Sequence, residues 1–543
     1  MAIPGSSGIS MKQSYNTKNI IEDFMKAEYV EGLRNEFNQM EALINRLPKD
    51  TISGKKKYKT FALGITDNVR ALGSSNDTYQ LDFGDFLNKG RETAEAEFDT
   101  TKLMANFSIT DEAILKGTGD GSLIDVLKDS FTSMETNIKV TMQRYTYGAS
   151  DGKIGQVMMK GTVGTTVESP KIVTYTMGAA DSYNYPNSTK PKYDAPNTNY
   201  YSDRPLPLMI QLTMCNSGCL LPGMGILILD KAKNFIMSGT IFQKKTSQIY
   251  QEDLIVFVDK TLTSFANVEG AGVIDEAVVH TPIKATAESL TAAVDYMIKC
   301  LTYDVATADA DQFAKADAVV YARQFNEAAQ TIVNAEYHGL EEIIMTQDNY
   351  LFGIDRKLYS GLNCTVHDCN GGYLGEELLR DMSDHLATTM PDGSSINLVC
   401  AQHRVISTVE KSLYQFKQYN MDASANSVNL GTRKDIVFDN YVLVKDKYAR
   451  EARVSTDPTK NLKYCYMIDQ NQIGELVRRD FQWITSGEVN SVLQRVHGSE
   501  VYEAIMNKYA DMYLDAWKCH GAFKGIAVPT IGASIGTGYA AIA

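Results

Sequence analysis

Residues Gly121–Gly148, GSLIDVLKDSFTSMETNIKVTMQRYTYG, carry the strongest helical signal in the chain. Leu123, Leu127, Phe131, Met134, Ile138, Met142 and Tyr145 recur at spacings of three and four, which places one apolar stripe on a helix of about seven turns. Ser122 suits the helix start, Asp125 falls in the first turn and Arg144 near the last, as the helix dipole favours, and Gly148 suits the stop. An alternating segment, FDTTKLMANFSITDEAI, leads into it, and a turn-rich YGASDGKIG follows. By themselves these features predict a one-faced strut in an α+β chain.

Upstream, Asn19–Leu47 repeats Ile20, Ile21, Phe24, Met25, Leu33, Phe37, Met40, Leu43 and Ile44 at roughly helical spacing until Pro48 ends the pattern. From Lys55 to Thr110 the pattern becomes short alternating runs broken by Gly and Asn (KYKTFALGI, NDTYQLDFGDFL, TAEAEFDTTKLMANFSI), which predicts strands burying one face. An isolated pair of strands is marginal in water, so such a hairpin needs a partner.

This order of extended arm, β-rich excursion, "SITDEAI" approach, long amphipathic helix and "YGASDGKIG" turn resembles the major capsid protein of tailed bacteriophages, the Hong Kong 97-type fold. A second passage, Gly339–Leu362 (GLEEIIMTQDNYLFGIDRKLYSGL), is similar to a further stretch of that family. The resemblance covers roughly residues 20–155 and 339–527. It implies an α+β chain divided into an N-terminal arm (1–54), an extended hairpin loop (55–110) and the spine helix with part of a peripheral domain (111–155). An axial α/β domain (339–430), peripheral strands with a closing segment (431–528) and a tail (529–543) complete it. Assembly as pentamers and hexamers into an icosahedral virion shell around double-stranded DNA is implied too, without sequence-specific DNA contact. So are assembly in the host cytoplasm and scaffolding, portal and decoration proteins as partners. The arm has little room for a built-in scaffold, so a separate scaffolding protein is expected. Some members of the family join subunits through a hairpin lysine. Lys89 lies in that region, but nothing near it in sequence activates an amine, and noncovalent locking is expected.

Composition fits this. A chain of 543 residues exceeds one core, and 44% hydrophobic against 22% charged residues is ordinary for a folded protein. With 53 basic and 66 acidic residues the net charge is −13, which argues against wrapping nucleic acid on a basic face. An acidic lining lets packaged DNA move, and acidity is equally a feature of soluble proteins in general. MAIPGSSGISMKQS lacks the charged head and apolar core of a signal peptide, and no run of about 18 apolar residues predicts a membrane span. Eight cysteines without a regular framework fit reduced thiols.

Residues 156–338 lie outside the resemblance. KIVTYTM, PLMIQLTMC, MGILILD, NFIMSGTIF and DLIVFVD are five apolar runs separated by turn residues, which predicts an inserted β-rich domain over 156–275, a small barrel or sandwich. Between the first two, Ser182–Arg204 holds tyrosines 183, 185, 193, 200 and 201 among prolines and asparagines, a loop that is either an adhesive surface or packed on its own domain. Over 276–338, TAAVDYMIKCL and FAKADAVVYARQFNEAAQTIVNAEY are glycine-free and periodic, which predicts a helical insertion. Further on, Tyr373–Met390 reads as an amphipathic helix, and SINLVCAQHRVISTVEKSLYQF as a buried strand followed by a helix. DIVFDNYVLVKDKYA and KYCYMIDQNQIGELV read as peripheral strands, whereas Ala510–Trp517 fits helix or strand.

Chemistry-bearing motifs are sparse. GTGDGS (Gly117–Ser122) lacks the Lys and Ser/Thr of a phosphate loop and the full spacing of a dinucleotide fingerprint. Cys364, His367 and Cys369, with Cys215 and Cys219, form the most metal-like spacing, yet the two groups would have to meet across the fold, and small apolar fillers are the better reading. Lys55, Lys56, Lys57 and Lys59 suit either a DNA or neighbour contact or a solvated face. Seven scattered histidines define no triad, so no catalytic, cofactor-binding or metal-binding residue is assigned, no cofactor is expected, and the chain reads as a structural protein rather than an enzyme. Rival readings are an encapsulin-like nanocompartment shell and a cytoplasmic nucleotide- or metal-binding enzyme. A carbohydrate- or receptor-binding module carried by the tyrosine-rich stretch is a third, compatible with the first.

Overall fold

The computed structural model describes residues 43–63, 92–110, 134, 136–158, 160–162, 166–172, 209–229, 235–248, 251–261, 319–322, 325–326, 331–332, 336–391, 393–413, 436–438, 441–454, 457–484, 494–496, 498 and 500–529. The N-terminal arm before Leu43, the hairpin tip with Lys89, GTGDGS, the first half of the spine, the tyrosine-rich Ser182–Arg204 and the tail lie outside these residues.

Residues 136–146 form the described part of the spine helix, α1. It ends at the glycine stop, where the Gly148 N–H donates to the Tyr145 carbonyl at 2.9 Å. The apolar stripe of α1 covers a five-stranded sheet made of Lys49–Thr51, Ile473–Trp483, Val501–Leu514, Gln494–Arg495 and Thr101–Thr110. Met142 and Tyr145 pack there with Tyr337, Val477 and Ala510, flanked by Ile138, Leu103 and Phe481. The open choice at Ala510–Trp517 resolves as strand through Leu514: Val501–Ala510 pairs with Thr101–Thr110 in unbroken register, and Ala510 to Leu514 pair with Val477 to Ile473 on the other side.

Strands Lys57–Ala62 and Thr93–Phe98 form an antiparallel hairpin base, Lys57 opposite Phe98 and Ala62 opposite Thr93, and among the described residues they pair only with each other. Alternation has its usual consequence: Phe61, Ala94, Ala96 and Phe98 turn into the main core while Tyr58 stays exposed.

The second sheet is mixed and seven-stranded: Thr365–Asp368, Gly521–Ile526, Asp457–Ile468, Leu398–Ala401, Tyr441–Lys445 and Ile436–Phe438 in order, with Glu451–Val454 beside Asp457–Ile468. Helix α2, Glu376–Thr389, buries Leu378, Leu379, Met382 and Leu386, and carries Glu376 and Glu377 in its first turn, where the dipole favours them. Together with α3, His403–Leu413, it covers one face, packing on Val399, Ala401, Cys465 and Met467. The alternate residues, Leu398, Cys400, Tyr466 and Ile468, face the main core on the other side. Here the peripheral reading of DIVFDNYVLVKDKYA and KYCYMI is corrected. Tyr441–Lys445 pairs in parallel with Leu398–Ala401, and Asp457–Ile468 pairs antiparallel with the same strand, so both belong to the α/β layer. Only the continuation, Ile473–Trp483, crosses to the sheet under the spine.

Between α1 and Tyr337 a six-stranded antiparallel barrel closes on itself. Lys153–Met158, Val319–Ala322, Gly225–Leu229, Phe235–Gln248, Gln251–Thr261 and Met209–Met214 bond in a ring. Ile154, Leu212, Ile226, Ile228, Met237, Ile241, Leu254 and Val256 are buried, as inward-facing positions of a small barrel must be. Lys153, Met214, Gly225 and Ala322 lie at one end, against the body. Met158, Met209, Leu229, Phe235, Thr261 and Val319 lie at the other end. The helical reading of 313–337 is corrected at Val319–Ala322, Phe325–Asn326 and Thr331–Ile332, all strands. Val319, Val320 and Tyr321 complete the ring between Gly225–Leu229 and Lys153–Met158, and ladder closure outweighs the helix propensity of the surrounding alanines.

Candidate assembly arm and the buried joint at the spine

The hairpin base is fastened to the body through Lys57 and Lys59. Lys56 pairs with Glu97, Lys57 with Asp50 and Lys59 with Asp515, all partly exposed. The Lys57 hydrogen bond is the largest influence on Asp50 and holds its carboxyl below the ordinary range. Three of the four clustered lysines therefore serve as ties within the subunit. Beneath them Phe98 stacks on Phe352 with centroids 4.6 Å apart, Phe352 meets Trp517 at 6.2 Å, and Phe61 meets Trp517 edge-on at 6.1 Å. The Phe352 carbonyl accepts from the Glu97 N–H at 2.8 Å, although Phe352 itself sits at φ +52°, where a bulky residue is strained. A tight turn, Leu351 to Ile354, thus plugs the base of the arm. On the outer side Tyr58 and Met104 are each 58% exposed.

Where the spine ends, three bodies meet through buried polar groups. The Arg450 guanidinium donates to the carbonyls of Tyr147 (3.2 Å), Lys153 (2.8 Å) and Ile154 (2.9 Å), so it caps the helix end and fixes the first barrel strand. Asp446 accepts from Gln143 at 2.6 Å and the Tyr147 hydroxyl at 3.0 Å, joining α1 to the mixed sheet, and burial raises its carboxyl above the usual range against those hydrogen bonds. Asn216, at the body end of the barrel, donates its N–H to Glu451 at 2.7 Å and accepts the Glu451 N–H at 2.8 Å. Under the spine Lys508, 1% exposed, pairs with Glu475 at 2.6 Å and lies 4.0 Å from the Met142 sulfur.

Arg356 closes the wide π-type turn Glu341–Met345. It is fully buried, donates to the carbonyls of Ile343 (2.8 Å), Glu342 (3.0 Å) and Thr346 and to Asn349, and lies 5.0 Å over the Trp517 ring. None of Asp446, Arg450, Lys508 or Asp511 stands out in sequence, since each sits among ordinary charged and polar neighbours (VKDKYAREAR, NKYADMY) and carries no spacing signal. Arg356 falls within the quoted FGIDRK passage, which was the one available cue.

Cys364 and Cys369 are separated by the sheet: Cys364 belongs to the main core, its thiol 3.2 Å from the Trp517 carbonyl, and Cys369 packs under α2 and α3. Burial pushes both thiols up to about 12, and Cys215, buried at the barrel end, to about 11. His367 sits on the edge strand between them, 6.1 Å from the Phe523 ring. Among the described residues no group of three or more His, Cys, Asp or Glu is placed to hold a metal, and no helix is long and apolar enough to cross a membrane.

No family model and no curated protein sequence matches the chain. Solved structures with some likeness include the capsid asymmetric unit of cyanophage A-1(L), 9% identical over 92% of this chain and 96% of that one, with a TM-score of 0.43. Mycobacterium phage Adephagia is 6% identical over 94% of this chain and 98% of that one, TM-score 0.35. The holo-SrpI encapsulin complex of Synechococcus elongatus PCC 7942 is 6% identical over 54% and 84%, TM-score 0.24.

Proposed function

We propose that this chain is a shell subunit, the major capsid protein of a tailed bacteriophage, which assembles with copies of itself into an icosahedral head around double-stranded DNA. The observation that carries the proposal is the hairpin arm, the base of the extended hairpin loop. Lys57–Ala62 and Thr93–Phe98 are bolted at their base to a helix-backed sheet, yet among the described residues the two strands pair only with each other. A two-stranded ribbon gains little stability alone, and a neighbouring subunit supplies the surface it lacks. The order of arm, spine over one sheet, and a separate α/β layer with two helices is also the order that the sequence resemblance implies.

In this reading the layers divide the work. The spine and five-stranded sheet form the rigid body, the α/β layer occupies the ring axis of pentamers and hexamers, and the arm makes head-to-tail contacts that close those rings. The barrel is displayed to one side of the shell and offers a place for decoration proteins. The acidic balance of −13 disfavours tight DNA adhesion, which suits a container whose contents must enter and leave. Scaffolding and portal proteins would nucleate and size the shell, in the host cytoplasm. No step here calls for catalysis or a cofactor.

The test is electron microscopy and size-exclusion chromatography of the full chain, expressed alone and with a scaffolding partner. Closed shells or ring-shaped capsomers are expected. A discrete monomer or dimer under every condition overturns the proposal. Nucleic acid inside native particles supports a genome container, while protein cargo points to the nanocompartment alternative.

A further inference from the structure

Residues 336–342, where the chain returns from the barrel, carry five ionisable side chains: Tyr337 packs in the core under the spine, and the other four reach three different bodies. Glu336 pairs with Arg144 of α1 at 3.2 Å, both about 5% exposed or less. The His338 ring nitrogen Nδ1 lies 2.9 Å from Asp511 Oδ2 on the long strand, and the His338 N–H donates to the other oxygen at 2.9 Å. Glu341 lies 3.3 Å from Arg450, next to the mixed sheet. Glu342 is half-buried, and its charge acts on His338. Asp511 also accepts the Thr101 hydroxyl at 3.1 Å, and the His338 ring rests on Phe352 at 5.0 Å, so the segment touches both the strand leading out of the arm and the turn that plugs its base.

We propose that residues 336–342 form a pH-sensitive joint, clasped by Glu336–Arg144, His338–Asp511 and Glu341–Arg450, that locks the barrel's return chain to the body and loosens as pH rises.

The groups of this segment that respond to burial and neighbours all respond in one sense. Burial opposes charge on His338, but the Asp511 charge and hydrogen bond outweigh it, Glu342 adds to them, and the imidazole is lifted to about 9. Burial raises Glu336 against the charges of Arg144 and Arg450, with Asp151 adding to the rise. Burial likewise raises Glu342 against His338 and Ser150, with Asp511 and Asp151 adding to it. Each of the three holds a proton more readily when the segment is docked than when it is loose. By linkage, docking takes up protons. The His338 contribution is complete below its ordinary 6.5 and is lost as pH rises through about 9. The two glutamates act in the same direction on the acid side.

The experiment is hydrogen exchange on the full-length protein between pH 6.5 and 9.5, corrected for intrinsic rates and read at the Glu342, Ile343 and Thr346 amides, which bond to Gly339 and Glu341 carbonyls. Protection there should fall on the order of thirtyfold between pH 7 and 9.5, while Val399 and Cys400 in the mixed sheet hold theirs. Glu342→Gln removes an anion that helps to keep His338 charged, so it should move the midpoint to lower pH, and His338→Gln should abolish the dependence. A flat wild-type profile overturns the proposal without any variant. A wild-type fall that persists in His338→Gln, or an unmoved midpoint in Glu342→Gln, overturns it too.

Discussion

Gly339 is packed directly against Gly148: a Cβ built on Gly339 would lie within 2.6 Å of the Gly148 nitrogen and oxygen and of the Tyr145 carbonyl oxygen. The two passages most telling in the sequence, the spine and Gly339–Leu362, touch backbone to backbone at this point, which brings the barrel's exit beside its entrance. Gly339→Ala therefore requires main chain to move at the end of α1. We expect a loss of at least about 2 kcal/mol in urea unfolding, in the range of overpacked cores. Gly361→Ala is the control, because a Cβ there meets nothing within 4 Å. Equal stability of the two variants would show that the helix end yields freely.

The Arg356 guanidinium satisfies three carbonyls of one turn, and a lysine ammonium cannot reproduce that fork. Arg356→Lys should lose about 3 kcal/mol by leaving buried acceptors unmatched. Arg380→Lys, at an exposed pair with Glu376 on α2, should change stability by less than about 0.5 kcal/mol. The comparison is made by thermal or denaturant unfolding, and comparable losses would mean that Arg356 acts only as bulk over Trp517.

Some of this was legible in sequence and some was not, for physical reasons. The stripe from Met134 to Tyr145 reports a helix because its period is local, and the alternation in KYKTFA and TAEAEF reports strands for the same reason. Which strands share a sheet is decided by partners far away in sequence. Tyr441–Lys445 looks like any buried strand until Leu398–Ala401 is found beside it. Val319–Ala322 sits in alanine-rich surroundings whose propensity is helical, and only the gap in the barrel ladder makes it a strand. Buried charges such as Asp446 and Lys508 are invisible for a further reason: a residue that satisfies a unique tertiary neighbour repeats with no period.

His520 gives a pH dependence on the acid side. It is fully buried, burial lowers it to about 4, and backbone hydrogen bonds from the Gln472 and Ala516 neighbourhood only partly offset that. Between its ordinary 6.5 and about 4 the unfolded chain binds a proton that the folded chain refuses, so stability falls as pH falls through that window. The contribution is on the order of 3 kcal/mol by pH 4. Unfolding of wild type and His520→Asn should therefore converge as pH is lowered from 7 to 4. Parallel curves over that range would show that His520 charges in place.

The shell reading makes a claim that stability alone cannot reach. Tyr58 lies on the arm and Met104 on the strand that leads from it, both 58% exposed, so neither holds the subunit together. Substituting both by serine should leave unfolding within about 0.5 kcal/mol of wild type, as exposed positions generally do. If these side chains face a neighbouring subunit, the same variant should raise the protein concentration needed for shell formation, followed by light scattering and electron microscopy. Tyr350→Ser and Leu358→Ser, exposed at 72% and 71% on a different turn, form the comparison pair. Loss of assembly in the first variant with retention in the second locates the contact on the arm, and unchanged assembly in the first removes those two side chains from it.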